Sequence, residues 1–251
     1  MADFGLSEEQ EMLRELAHEF ARDSVRPHAE HWDLENEFPL EAIAEAHALG
    51  LTNLHIPAEY GGMGMGISDE VLVTEEFAWG DPGFSTAAYS NGLTAGPIIT
   101  GGTEEQKEEY LGRLVKEPKI ASYCVTEPAA GSDVASIETT AVRDGDHYIL
   151  NGEKMFITGA GHADWFFVLG YTDKSAGYKG MSAFIVESGL DGVSLGKKES
   201  NMGQRASDTR GVRFDEVHVP VENLLGGVEG KGWFNAMKAF DLSRPNTAAQ
   251  A

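Results

Sequence analysis

The chain has 251 residues, 41% hydrophobic and 24% charged, enough for one large domain or two modest ones with real cores. Its 41 Asp and Glu against 19 Lys and Arg leave a formal charge of −22, a field that repels nucleic acid and anionic membranes. No apolar run approaches a membrane-spanning length, and the single cysteine, Cys124, excludes an internal disulfide framework or a cysteine-built metal site.

The start of the chain is acidic and amphipathic, unlike a secretory signal or a mitochondrial transit peptide. An intracellular protein is expected, in a prokaryotic cytoplasm ahead of a mitochondrial matrix. Its acidity suits an ordinary soluble protein or one adapted to high salt, where screening removes self-repulsion. Ser7-Glu8-Glu9-Gln10 matches a capping box, and Leu13, Leu16, Ala17, Phe20 and Ala21 then recur at helical spacing. Pro39 suits the first turn of a second helix that Gly50 ends. Residues 56–62 carry too many breakers for a helix, and the glycines between 61 and 66 follow no strand, so both read as loop. Helical runs are predicted at about 69–79, 85–99 and 104–115, the last opened by a second box, Thr103-Glu104-Glu105-Gln106.

Near Ile120 the texture changes to strand. Asp144-Gly145 and Asn151-Gly152 sit between β-prone runs and predict two hairpin turns. Residues 165–169 and 183–186 read as buried strands, and 212–219 alternates like a half-exposed one. Cys124, in an apolar run, is expected in the core. After Gly230-Lys231-Gly232 a helix resumes, with Trp233, Met237 and Phe240 on one face and Pro245 as a kink or restart. No cap or glycine closes that pattern before Ala251, so a continuation is expected. The fold class is therefore α+β: helices over 1–119, a β-barrel or sandwich over 120–230, and the start of a further helical unit over 231–251.

One turn carries candidate chemistry. The run Tyr123-Cys124-Val125-Thr126-Glu127-Pro128-Ala129-Ala130-Gly131-Ser132-Asp133 leaves an apolar strand for a Pro/Gly/Ser turn. Backbone N–H groups and hydroxyls exposed there suit an anionic ligand, or serve an ordinary strand-end turn. It is neither a dinucleotide fingerprint nor a P-loop. The histidines, His147 and His162 among them, show no metal-ligand spacing, and no metal is expected.

That run, followed by Asn151-Gly152-Glu153-Lys154-Met155-Phe156-Ile157-Thr158, resembles the two flavin-contact signatures of the acyl-CoA dehydrogenases. Residues 201–210 (Asn-Met-Gly-Gln-Arg-Ala-Ser-Asp-Thr-Arg) and Phe240-Asp241-Leu242-Ser243-Arg244-Pro245 are similar to that family too, closest to its medium- and short-chain members. The match runs through essentially the whole chain in order. The resemblance implies FAD as cofactor and α,β-dehydrogenation of acyl-CoA thioesters to trans-2-enoyl-CoA. It implies that Tyr123, Val125, Thr126, Gly131 and Ser132 line the flavin, with Phe156, Ile157 and Thr158 against its ring and Thr158 near N5. Ser132, Thr172, Asp241 and Arg244 would meet the acyl-CoA.

The family's base is a glutamate, in some members on the helix after the β-unit. The matching position here is Ser243, so the base is expected beyond Ala251. An electron-transferring flavoprotein as acceptor and a homotetramer are implied as well. The alternatives are a non-catalytic binding subunit of a hetero-oligomer, or a related flavoenzyme such as an acyl-CoA oxidase or flavin hydroxylase.

Overall fold

The computed structural model describes residues 5–251. Helices α1 (Glu8–Phe20), α2 (Ala29–Glu35), α3 (Leu40–Ala48), α4 (Ile67–Gly80), α5 (Pro82–Ala88), α6 (Ser90–Gly101), α7 (Glu104–Gln106) and α8 (Gly112–Lys116) make the first layer. Both expected capping boxes form: Ser7 Oγ accepts from Gln10 N, and Thr103 Oγ1 accepts from Gln106 N. Pro39 is the residue before α3 rather than in its first turn, and Gly50 follows the helix at φ +72°. The run predicted at 85–99 is two helices meeting at Tyr89, and a wider π-turn over Lys107–Leu111 joins α7 to α8. The aromatic rings of Phe20, Trp32, Phe77 and Phe84 fill the centre of this layer.

Strands β1 (Ile120–Cys124), β2 (Thr140–Asp144), β3 (His147–Thr158), β4 (Ala163–Tyr171), β5 (Met181–Glu187), β6 (Val193–Lys198) and β7 (Thr209–Pro220) form one curled seven-stranded sheet. Its order is β1-β4-β2-β3-β7-β6, with β5 also paired to β4. Strand β4 explains why its sequence reads as an unbroken apolar run: it is buried on both faces. Trp165, Phe167 and Leu169 meet the helices, while Phe166 and Val168 join Phe184, Val212 and Phe214 within the curl. Cys124 is buried in that second cluster.

Asp144-Gly145 does lead into a tight hairpin, Asp144 pairing with His147. Asn151-Gly152 does not. Strand β3 runs straight through it, and the pair forms a bulge against β7 instead of a turn. Asn151 Oδ1 accepts from Glu216 N (2.8 Å), and the bare Cα of Gly152 lies against Thr139. The glycine is there for close approach, not for chain reversal. The alternation over 212–219 is likewise interrupted at Asp215 and Glu216, where Glu216 takes φ +52° and buried positions resume at Val217.

Helix α9 (Gly232–Ala249) crosses back over the helical layer, packing on α4 and α6 and against β5, and it continues through Pro245. Among the described residues no helix is long and apolar enough to cross a membrane.

A Cβ at Gly152 would sit 2.2 Å from Thr139 Oγ1. Gly152→Ala is therefore expected to destabilise the protein by about 1–3 kcal/mol through overpacking, read as a lower urea midpoint. Tolerance of alanine would show that the bulge is not a close contact.

Candidate functional site

The strand β3 that should carry part of the site contains a lysine, Lys154, with no exposure at all. A buried ammonium is costly unless each of its protons finds an acceptor. Lys154 Nζ donates to Glu127 Oε1 (2.8 Å), Val125 O (3.1 Å) and Leu169 O (2.7 Å), which uses all three. Glu127 in turn accepts from Glu138 N (2.5 Å), Thr139 N (3.1 Å) and Thr139 Oγ1 (2.5 Å). Burial pushes the Glu127 carboxyl upward, but Lys154 and these donors outweigh it and hold the group below its ordinary value.

This pair pins the loop after β1 to β3. One residue further on, β3 gains an extra residue opposite β7, and Met155 N donates to Thr126 O (2.9 Å) of that loop. The bulge turns Phe156 outward at φ +59°, a left-handed conformation that costs a residue with a Cβ about 1–3 kcal/mol. The ring is 61% exposed, so Phe156 is not core. This exposed aromatic, held in strained backbone, borders a cavity.

That cavity has a volume of about 430 Å³, within the range of small-molecule sites. Tyr123, Val125, Thr126, Phe156, Ile157 and Thr158 line one side. Thr86, Tyr89, Ser90 and Leu93, from α5 to α6, and Phe240, Ser243, Thr247 and Gln250, on and just after α9, line the other. Tyr123 is fixed by stacking on Phe167 (4.7 Å, 3° between planes) and by its hydroxyl donating to Ala236 O (3.0 Å). Ser122 Oγ donates to the main-chain Thr158 O (2.7 Å), which fixes the end of β3 beside the cavity. Ser90 Oγ is buried with no hydrogen bond. Among the described residues no charged side chain lines the cavity.

Six of the expected site residues thus converge. Gly131 and Ser132 lie on the exposed turn beyond Glu127, outside the cavity lining. Thr172 is also elsewhere, its hydroxyl shared with Gly180 O (3.2 Å) and Ser182 Oγ (2.8 Å). Asp241 and Arg244 are exposed on α9, and no ion pair joins them among the described residues. Ser243 does line the cavity, its Oγ donating to Phe240 O (3.2 Å). The helical half, Thr86 to Leu93, was not anticipated. Its sequence has small and polar residues at every helical phase and so no apolar stripe to mark a buried face.

A helical layer closes on a curled sheet, and a cavity walled by one strained aromatic lies between them. The family model for the acyl-CoA dehydrogenase N-terminal domain matches residues 7–118, and that for the acyl-CoA dehydrogenase middle domain matches residues 122–217. The chain belongs to the acyl-CoA dehydrogenase family. It is 47% identical over 99% of its length to a probable medium-chain specific acyl-CoA dehydrogenase of Caenorhabditis briggsae, covering 61% of that protein. The butyryl-CoA dehydrogenase structure from Megasphaera elsdenii superposes with a TM-score of 0.95 at 39% identity, over 99% of this chain and 66% of that one. An acyl-CoA dehydrogenase from Bacillus anthracis solved with FAD gives 0.91 at 34% identity, over 100% and 42%. The chain spans less than two thirds of the length of these relatives.

Lys154→Met leaves Glu127 buried and unpaired, and is expected to cost about 3–5 kcal/mol at pH 7 in urea unfolding. Because the Glu127 pKa is depressed in the folded protein, the pair's contribution is complete above the ordinary carboxylate value of 4.5 and is lost as pH falls through the lowered one. The gap between variant and wild type should therefore narrow below pH 4.5. Phe156→Gly removes strain together with the ring. Thermal stability is expected to hold or rise while flavin affinity, measured by fluorescence quenching, falls about tenfold. Unchanged affinity would remove Phe156 from the site.

Proposed function

We propose that this chain is the flavin- and thioester-binding part of an enzyme that dehydrogenates acyl-CoA thioesters to trans-2-enoyl-CoA, with FAD as cofactor. The observation that carries the reading is one cavity in which the strained Phe156, Thr158 and the loop from Tyr123 to Thr126 face helices α5, α6 and α9. The residues present fit a flavin: an exposed aromatic face, a fixed loop edge, the unpartnered Ser90 hydroxyl and the Thr158 hydroxyl on the cavity wall.

Tyr123, Val125, Thr126, Phe156, Ile157 and Thr158 would hold the ring, with Gly131 and Ser132 toward the cofactor's phosphates. Bound there, FAD supplies the acceptor for the hydride that leaves the β-carbon. The Thr158 hydroxyl is the donor we assign to the N5 side, where it would stabilise charge arriving on the ring. Phe156 and Tyr123 exclude water and set the plane. On the helical side, Thr86, Ser90, Leu93 and Thr247 would take the acyl chain, and Ser132, Thr172, Asp241 and Arg244 would meet the rest of the CoA ester. No Asp or Glu side chain lines the cavity among the described residues, and the Ser243 hydroxyl is not basic at neutral pH. The α-proton therefore goes to a carboxylate that these lining residues do not supply, which we assign beyond Ala251.

The division at 1–119, 120–230 and 231–251, an electron-transferring flavoprotein as acceptor, a homotetramer and a prokaryotic cytoplasmic setting belong to the same proposal. Its test is anaerobic titration of the FAD-loaded full-length protein with butyryl-, hexanoyl- and octanoyl-CoA. Bleaching of the oxidised flavin band by at least one of them is expected. A flavin that stays oxidised with all of them sinks the reading.

A further inference from the structure

The helical wall of the cavity carries more hydrogen-bonding groups than a hydrocarbon tail needs. Along α9, Phe240, Ser243 and Thr247 recur at helical spacing on the face that lines it. Thr86, on α5, donates through Oγ1 to Gln204 Oε1 (3.0 Å), and Gln250 Oε1 stands 3.5 Å from the same hydroxyl. Gln204 lies in the loop between β6 and β7 and holds φ +52°. It and Phe156 are the two lining residues in left-handed backbone. Strain of this kind persists where the surroundings fix a side chain against a site.

The decisive atom is Ser90 Oγ, which is buried and has no hydrogen bond. A Cβ built on Gly159, the residue after Thr158, would lie 3.7 Å from it, so the hydroxyl faces the end of β3 from the helical side. Ser243 Oγ and Thr247 Oγ1 differ, because their protons go to Phe240 O and Ser243 O (3.2 Å each) and only lone pairs remain to offer. Ser90 can give a proton as well as accept one. An alkyl chain laid along this wall would seal that hydroxyl from water without a partner. It would also dry the group formed by Thr86, Gln204 and Gln250, and nothing in such a chain offsets that desolvation.

We propose that the acyl group this protein takes bears a neutral oxygen, a hydroxyl or an oxo group, on the chain beyond the β-carbon. The inference rests on the reading of the cavity as the acyl site, where the α- and β-carbons react at the ring and only the rest of the chain is free to carry the oxygen. Such an oxygen accepts from Ser90 or from a glutamine amide, and a hydroxyl also donates to the lone pairs left on Ser243 and Thr247. A distal carboxylate does not suit this wall. Among the described residues no Lys, Arg or His side chain lines the cavity, and the chain as a whole carries −22.

The test measures dissociation constants of non-oxidisable 3-thia-acyl-CoA analogues on the FAD-loaded full-length protein by calorimetry, in pairs matched for size. The 3-thia-5-oxohexanoyl thioester is set against 3-thia-5-methylhexanoyl, and 3-thia-6-hydroxyhexanoyl against 3-thiaheptanoyl. Wild type is expected to favour the oxygenated member of at least one pair by about tenfold, and Ser90→Ala to shift that ratio toward the apolar member by a similar factor. Thr247→Val, which keeps the shape and removes the hydroxyl, should shift it the same way by less, and carries the test if the alanine variant does not fold. Equal binding within both pairs, or preference for the apolar member in both, overturns the proposal. So does an unshifted ratio in the folded variants; if FAD affinity falls in its place, the Ser90 hydroxyl belongs to the ring. Failure of wild type to bind any of the four instead removes the acyl-site reading itself, and this inference with it.

Discussion

The ion pair of Lys154 and Glu127 is the contact on which the sheet side of the site depends. Ionised groups this deep are retained only when desolvation is offset by complete hydrogen bonding, and here it is. Three acceptors surround the ammonium and four donors, Lys154 included, surround the carboxylate. The pair joins four places distant in sequence: the loop after β1, the residue before β2 at Thr139, the middle of β3, and β4 at Leu169. With those fixed, the register of β3 beyond Lys154 has little freedom. The bulge follows, the Met155 amide turns to Thr126, and Phe156 is left facing the cavity in a conformation it would not choose. The strain at Phe156 is held by an interaction two residues away, with the covalent chain as the lever.

On its helical side the cavity is built on the same plan. Tyr89 is held by Glu70 and Asn246, themselves buried, and by the bare backbone at Gly92. Both walls are therefore positioned by polar groups behind them as well as by aromatic packing, Tyr123 on Phe167 among it. Directional bonds of this kind specify one arrangement where hydrophobic contact alone tolerates several.

Much of this architecture is legible in the sequence because local and global preferences agree there. The capping boxes at Ser7 and Thr103, the Asp144-Gly145 reversal and the apolar run of β4 each read as they fold. Asn151-Gly152 misleads because the same dipeptide serves a turn or a close approach, and only the presence of Thr139 across the gap distinguishes them. The sheet half of the site was accessible through its motif. The helical half was not, since Tyr89 and Ser90 sit at a junction between two short helices that reads as one. Nor could the sequence show that a lysine and a glutamate in two recognisable motifs meet in the core. Their partner groups are largely main-chain carbonyls and amides, which carry no residue identity.

The net charge of −22 acquires a more definite meaning against this geometry. An anionic ligand approaching the protein as a whole is repelled, yet the cavity presents no charged side chain to it. Inside the cavity, attraction would then come from neutral hydroxyls, aromatic faces and backbone amides, forces that act only at contact, with Arg244 as a cation outside it. Binding of this kind depends on fit rather than on steering, and it gains as salt screens the overall repulsion. The acidic surface and the neutral, rigid cavity therefore work in the same direction: the first discourages encounters with polyanions in general, and the second rewards only those ligands whose shape completes it.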